Sequence, residues 1–219
     1  MIMFAYPAKA EFNRVVPKIK IYANAKPSKR VKALFVSQVE EIVWKYKLAR
    51  DTVNLPPRDG YAEIQVFEIS LKDGELDPEV LRVIDRAIPY PLIFRLKHGG
   101  LVKMVAAYKR PAADGSNKWV TGAYFETNWS NGAEKPAPLP VALDIKALYE
   151  QMLFAYIGLP PRAGETLPEL VARVEAIHQC RREIQLLEAK LNKEKQFNRK
   201  VAINAELRDL KQELEGLMQ

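Results

Sequence analysis

The stretch LIFRLKHGGLVKMVAAY, residues 92–108, decides the fold class. Two apolar-rich runs, Leu92 to Lys97 and Leu101 to Tyr108, flank His98-Gly99-Gly100, and a paired glycine between two such runs predicts a β-hairpin. Working towards the N-terminus, Leu76-Asp77-Pro78-Glu79 predicts a helix start, with Asp77 as the cap and Pro78 in the first turn. That helix should end by Pro89. Before it, EIQVFEISL (residues 63–71) reads as a buried strand, and Asn54-Leu55-Pro56-Pro57 reads as a break. Towards the C-terminus, a polar loop from Pro111 to Asn117 leads into KWVTGAYFETNW (residues 118–129), an aromatic-rich strand.

The first fifty residues read as strand then helix. Val15 to Tyr22 alternate, with Ile19 and Ile21 on one face and Lys18 and Lys20 on the other, the pattern of a short edge strand. Ser28 is placed to cap a helix. Its stripe, Val31, Leu34, Phe35, Val39, Ile42, Tyr46 and Ala49, recurs at three- and four-residue spacing. The order implies an α+β fold, a mostly antiparallel sheet with flanking helices.

Ser130 to Pro140 carries asparagine, glycine and three prolines and is the candidate linker. The expected organisation is an α+β domain over residues 1–129 with a basic N-terminal arm, a linker over 130–140 and a helical region over 141–219. In the last, Asp144 caps a helix with the stripe Ile145, Leu148, Met152, Leu153 and Tyr156, and residues 158–164 interrupt it. Thr166-x-x-Glu169 then forms a capping box. From Glu169 to Glu215 there is no proline or glycine.

Ile177, Cys180, Ile184, Leu187 and Leu191 form one heptad seam; Ile203, Leu207, Leu210, Leu214 and Leu217 form another. Leu187 and Ile203 lie two residues out of heptad phase, so no single seam serves both. A C-terminal helical hairpin folding back near Lys193 to Arg199 buries the two stripes against each other. A rod, as in a coiled coil, would give each half a separate partner. The hairpin is the preferred reading; packing of these helices on the α+β domain is the plainer alternative. As a docking surface, the residues to watch are Leu207, Leu210, Leu214 and Leu217, for a protein partner or for self-association.

The 219-residue chain is 48% hydrophobic and 28% charged, with a net charge of +7, the composition of a protein with a real core. Eight basic residues and one acidic precede Ala33, so this segment alone matches the net charge. It favours an acidic partner, nucleic acid or a protein surface; a solvated arm is the simpler alternative. Lys26, Lys29, Arg30 and Lys32 are its candidate phosphate contacts. Lys193, Lys195, Arg199 and Lys200, interleaved with Phe197, form a second set. Tyr108-Lys109-Arg110 repeats the pattern in brief.

The single cysteine, Cys180, excludes a disulfide framework and reads as a seam residue. His98 and His178 are too few for a metal cluster, and no metal or cofactor is expected. Phosphate-binding glycine loops and the H-E-x-x-H and G-x-S-x-G motifs are absent. The weak catalytic candidates are Glu63, Glu68 and Lys72, with Glu40 and Glu41 on the preceding helix, as in a metal-dependent nuclease. Glu63 and Glu68 are five apart, though, and an unbulged strand turns them to opposite faces. The N-terminus lacks the pattern of a signal peptide and no stretch is long and apolar enough to span a membrane. The expectation is a cytoplasmic protein without membrane contact.

VEEIVWKYKLA, EIQVFEISL, AIPYPLIFRL, AAYKRP, YFETNW and EKQFNRKVAINAEL together resemble an uncharacterised bacterial domain-of-unknown-function family, number four-three-nine-one. The resemblance runs from Phe12 to Leu217. It brings no catalytic residues. It implies a setting near Swi/Snf-type helicases and DNA methyltransferases, as in restriction or phage-defence clusters, so a helicase or methyltransferase of the same system is a possible partner. The leading expectation is a non-catalytic accessory or interaction subunit of such a DNA-processing assembly. A nucleic-acid-binding protein is the alternative, and a metal-dependent nuclease the second alternative.

Overall fold

A computed structural model describes residues 3–114, 118–132 and 135–219. The elements run β1 (Phe4–Ala5), β2 (Glu11–Val15), α1 (Lys18–Ala25), α2 (Lys29–Gln38), β3 (Val39–Ala49), α3 (Arg50–Val53), β4 (Glu63–Leu71), α4 (Pro78–Ala87), β5 (Leu92–His98), β6 (Leu101–Pro111), β7 (Trp119–Glu126), β8 (Ala137–Pro138), α5 (Ile145–Ile157), α6 (Leu167–Lys193) and α7 (Phe197–Met218). Two compact units result, residues 1–160 and 161–219.

The first unit is an α+β fold on a six-stranded sheet of order β2-β3-β4-β5-β6-β7. All neighbours are antiparallel except β4 and β5. Those two are joined through α4, and only such a crossover makes a parallel pair of consecutive strands. α4 starts as the sequence requires, with Asp77 accepting from the Glu79 amide at 2.9 Å and Pro78 in the first turn. Gly99 and Gly100, both at positive φ, close the β5–β6 hairpin, the backbone a tight hairpin turn demands. One core cluster buries Phe35, Phe67, Ile69, Val80, Ile84 and Phe94, drawn from α2, α4 and the sheet face they cover. α5 packs against β6 and β7.

Two sequence expectations fail near the N-terminus. Residues 18–25 are helical, not a strand, and the strand before them stops at Val15. The helix buries Ile21 and Ala25, one turn apart, and leaves Ile19 73% exposed. The alternation of lysine and isoleucine was therefore accidental. The next helix ends at Gln38 rather than Ala49, because Val39 to Ala49 is the long strand β3. Register shifts against β4 fall between Val39 and Glu41 and between Trp44 and Tyr46. Each inserts one extra residue, Glu40 and Lys45, and a bulge converts two-residue alternation into steps of three or four. The bulged strand imitated a helix. Glu40 and Glu41 consequently lie on a strand.

Of the segment 130–140, expected as a linker, residues 133–134 lie outside the described residues, and the others belong to the first unit. Ser130 and Val102 exchange backbone hydrogen bonds at 2.7 and 2.9 Å, the Ala137 amide donates to Met3 O at 2.8 Å, and β8 pairs with β1. Its prolines and glycine mark irregular backbone, not a boundary. The division instead follows α5, after Pro160.

The second unit is a helical hairpin. Cys180 and Ile184 of α6 face Ile203 and Leu207 of α7 in one buried cluster, flanked by Leu187, Leu191, Leu210 and Leu214. The Cys180 thiol donates to Leu210 O, and burial pushes its pKa up. The two out-of-phase stripes thus become facing halves of one seam. Only residues 194–196 separate the helices, with neither glycine nor proline. Glu194 makes the turn: its carboxylate accepts from the Lys195 and Gln196 amides at 2.8 and 2.9 Å. At the far end, Arg173 pairs with Glu165 at 2.7 Å and donates to Leu217 O at 3.0 Å, and Arg162 donates to Gly216 O at 2.6 Å.

Candidate functional site

The strongest surface feature is the hairpin tip. Lys190 and Lys193 occupy the last turn of α6, where the helix dipole favours cations. Lys195 lies in the turn, and Arg199 and Lys200 follow in the first turn of α7. Phe197 stands among them 77% exposed. The single carboxylate of the turn, Glu194, is occupied by two backbone amides and lies 3.9 Å from Arg199. The amides hold its pKa below the usual carboxylate range. Among the described residues, Lys193, Lys195 and Lys200 have no acidic partner within 4 Å. The arrangement offers phosphate neutralisation beside a bare aromatic ring.

The docking leucines are placed differently from their expected role. Leu207 is buried, and Leu210 and Leu214 pack against the same cluster; Leu217 is half-buried. This stripe is used inside the hairpin. The exposed leucine of the described hairpin residues is Leu186, at 71%, beside Glu183, Glu206 and Asp209.

Lys26, Lys29, Arg30 and Lys32 are exposed, but they stand on α1 and α2 rather than on an extended arm. Lys26 ends α1 in the left-handed region, Arg30 lies 3.9 Å from Asp77, and Lys32 sits over the Tyr22 ring at 5.5 Å. Lys29 is exposed in the first turn of α2. Lys18 and Lys72 hold the other end of that helix. Lys18 Nζ donates to Phe35 O and Val39 O at 2.9 and 2.6 Å, and Lys72 Nζ to Val36 O at 2.7 Å.

The candidate carboxylates do not converge. β4 has no bulge of its own, so Glu63 and Glu68 take opposite faces. Glu63 bonds to Gln65 and lies 3.9 Å from Lys47. Glu68 is bracketed by Arg95 at 3.2 Å and Lys97 at 3.3 Å, its cross-strand neighbours. Lys72 serves α2. Among the described residues no group of three or more His, Cys, Asp or Glu is placed to hold a metal ion.

Sequence reasoning missed the buried polar centre of the first unit. Lys109, 1% exposed, points under the end of α4. Its Nζ donates to Asp85 O at 2.7 Å, Ile88 O at 2.6 Å and Asp85 Oδ1 at 3.2 Å, so all three protons have acceptors. Tyr124 donates to the other oxygen of Asp85. Burial pushes Asp85 up and Lys109 down, and their mutual attraction opposes both shifts. The β6–β7 register shift between Ala107 and Lys109 leaves backbone groups outside the ladder. The Tyr149 hydroxyl meets them, donating to Ala107 O and accepting from the Lys109 amide, and Tyr61 donates to Lys109 O. A lysine between Tyr108 and Arg110 gives no sign of burial in the sequence.

These features define a class, a mixed α+β unit followed by a basic-tipped helical hairpin. Residues 4–214 match the family described as Domain of unknown function (DUF4391), and the chain belongs to that family. No curated protein and no solved structure matches. No helix of the described residues is long and apolar enough to cross a membrane.

Proposed function

We propose that the protein is a non-catalytic accessory factor that engages nucleic acid through the tip of its hairpin. The observation that carries this reading is the exposed Phe197 set among Lys193, Lys195, Arg199 and Lys200, with the only local carboxylate committed to backbone amides. Each lysine or arginine that neutralises a phosphate releases a counterion, and the ring stacks on an unpaired base. A role in a DNA-processing or restriction-like assembly agrees with the resemblance noted above. The dispersal of Glu63, Glu68 and Lys72 weighs against the nuclease alternative.

Fluorescence anisotropy of the full chain with single-stranded and duplex DNA and with RNA, across a salt series, tests the proposal. Binding should weaken steeply with salt. The triple variant Lys195→Ala, Arg199→Ala, Lys200→Ala should flatten the log–log slope by roughly two to three units. Phe197→Ala should weaken single strands more than duplex. Failure to bind at about 50 mM salt, or an unchanged slope in the triple variant, overturns the reading.

Leu186 supports a second reading, docking of a protein partner. A leucine this exposed, rimmed by Glu183, Glu206 and Asp209, suits a partner with a basic, apolar face. Leu186→Glu should abolish capture of such a partner and leave nucleic-acid binding intact.

A further inference from the structure

A cleft in the first unit lies between the second half of α4 and the start of β7. It has a volume of about 540 Å³, and its lining includes Arg82, Asp85, Arg86, Lys118, Trp119 and Gly122, within the roughly 300–1,000 Å³ usual for small-molecule sites. We propose that this cleft binds a nucleoside phosphate, with the phosphates on Arg86, Arg82 and Lys118 and the base on Trp119. All of its lining residues belong to the first unit.

The electrostatics single out an anion. Arg82 and Arg86 are four residues apart on α4 and project from one face, neighbours on the helix surface. Arg82 is already engaged by Glu79 at 2.6 Å. Arg86 and Lys118 have no acidic partner within 4 Å among the described residues. The acid in the lining is Asp85, and its charge is not available to repel a ligand: Lys109 holds one oxygen and Tyr124 the other. The buried lysine thus converts a cleft of mixed charge into a cationic one. By binding Ile88 O it also fixes the turn that forms one wall.

The aromatic side is equally prepared. Trp119 packs edge to face with Tyr61, ring centres 5.2 Å apart at 86°, and Tyr61 is anchored in turn to Lys109 O. The indole is therefore held before any ligand arrives, which lowers the ordering cost of stacking. The irregular pairing of β7 with β6 places Gly122 at the wall, where an added Cβ would stand 3.2 Å from Tyr108 O. Guanidinium groups reading phosphate beside a ring reading a base define the ligand class. Free nucleotides and the 5′-phosphorylated end of a strand share that chemistry.

Isothermal titration of the full-length protein with ATP, ADP, AMP, adenosine, inorganic pyrophosphate and a 5′-phosphorylated dinucleotide distinguishes them. Nucleoside phosphates should bind, with adenosine and pyrophosphate each at least tenfold weaker than ADP. A preference for the dinucleotide assigns the site to strand ends, and a preference for ADP or ATP assigns it to free nucleotide. Arg86→Ala should cost about tenfold, Arg82→Ala less because of Glu79. Trp119→Phe should keep most of the affinity that Trp119→Ala loses. The variant altered at Lys195, Arg199 and Lys200 should bind nucleotide normally, which keeps this test independent of the tip. Circular dichroism establishes that each variant is folded. No heat with any phosphorylated ligand at millimolar concentration, or equal affinity in folded Arg86→Ala and Lys118→Ala, overturns the proposal. Equal affinity for pyrophosphate and ADP overturns the role of Trp119.

Discussion

Helices α4 and α7 both end on carbonyls taken up by a cation from a distant part of the chain, but their surroundings differ. Under α4, Lys109 is fully enclosed, every proton has an acceptor, and its counterion Asp85 is enclosed with it. At α7, Arg173, also buried, reaches Leu217 O while Glu165 holds its other edge, in a unit of only two long helices. Both devices satisfy groups that a helix leaves open. The enclosed one is bound into a core and fails expensively if broken; the outer one is a latch, sensitive to pH. The same chemistry thus fixes permanent geometry in one unit and closes an end in the other.

The largest expected effect comes from breaking the enclosed pair. Lys109→Met leaves Asp85 buried without its cation and should cost about 3–5 kcal/mol in urea unfolding. Adding Asp85→Asn should recover part of that loss, since the stranded charge is gone, while the two carbonyls stay without their donor. A double variant no better than the single one would show that the carbonyl contacts, not the charge, dominate.

Next comes the hairpin seam. Leu207→Ala opens a cavity opposite Cys180 and Ile184 and should cost about 2–4 kcal/mol. Hydrogen exchange should locate the loss in α6 and α7 and leave the strands of the first unit protected. Faster exchange in β4 and β5 would refute the separation.

The latch gives a smaller, pH-dependent effect. The Arg173 guanidinium holds Glu165 down at about 2. A lowered folded-state pKa contributes stability that is complete above the ordinary glutamate range and disappears as pH falls towards about 2. Protection of the α7 C-terminal amides should therefore fall between about pH 5 and 2, and in Arg173→Met it should already be low at neutral pH. The smallest effect belongs to Phe197→Ala, which should change thermal stability by less than about 0.5 kcal/mol because the ring packs on little. A larger loss would make Phe197 a structural residue and weaken the case for the tip.

Local chemistry made much of this legible. Ser28, Asp77 and Asp144 each cap the helix assigned to them with a side-chain oxygen, Thr166 takes its N-cap position with Glu169 accepting from its amide and hydroxyl, and Gly99-Gly100 closes the hairpin it announced. The phase slip between Leu187 and Ile203 pointed to a folded-back hairpin although no glycine marks the turn. What failed were periodicities altered by neighbours: two bulges disguised β3, and a chance alternation disguised α1. The basic tip was visible because it is contiguous. The cleft at Arg82, Arg86, Lys118 and Trp119 was not, since it is assembled across a gap in the chain by Lys109, whose burial is a consequence of sheet register.

From β2 to β7 the order in space is the order in sequence. During synthesis each strand can therefore dock on the one made just before it, and none must be threaded between two already in place. Until the next strand arrives, only one newly made edge waits uncovered. The long-range pairing of β1 with β8 can form only after all six strands of the sheet have been made. Sequential growth of this kind keeps loop-closure costs low and shortens the time an open edge is exposed to other nascent chains.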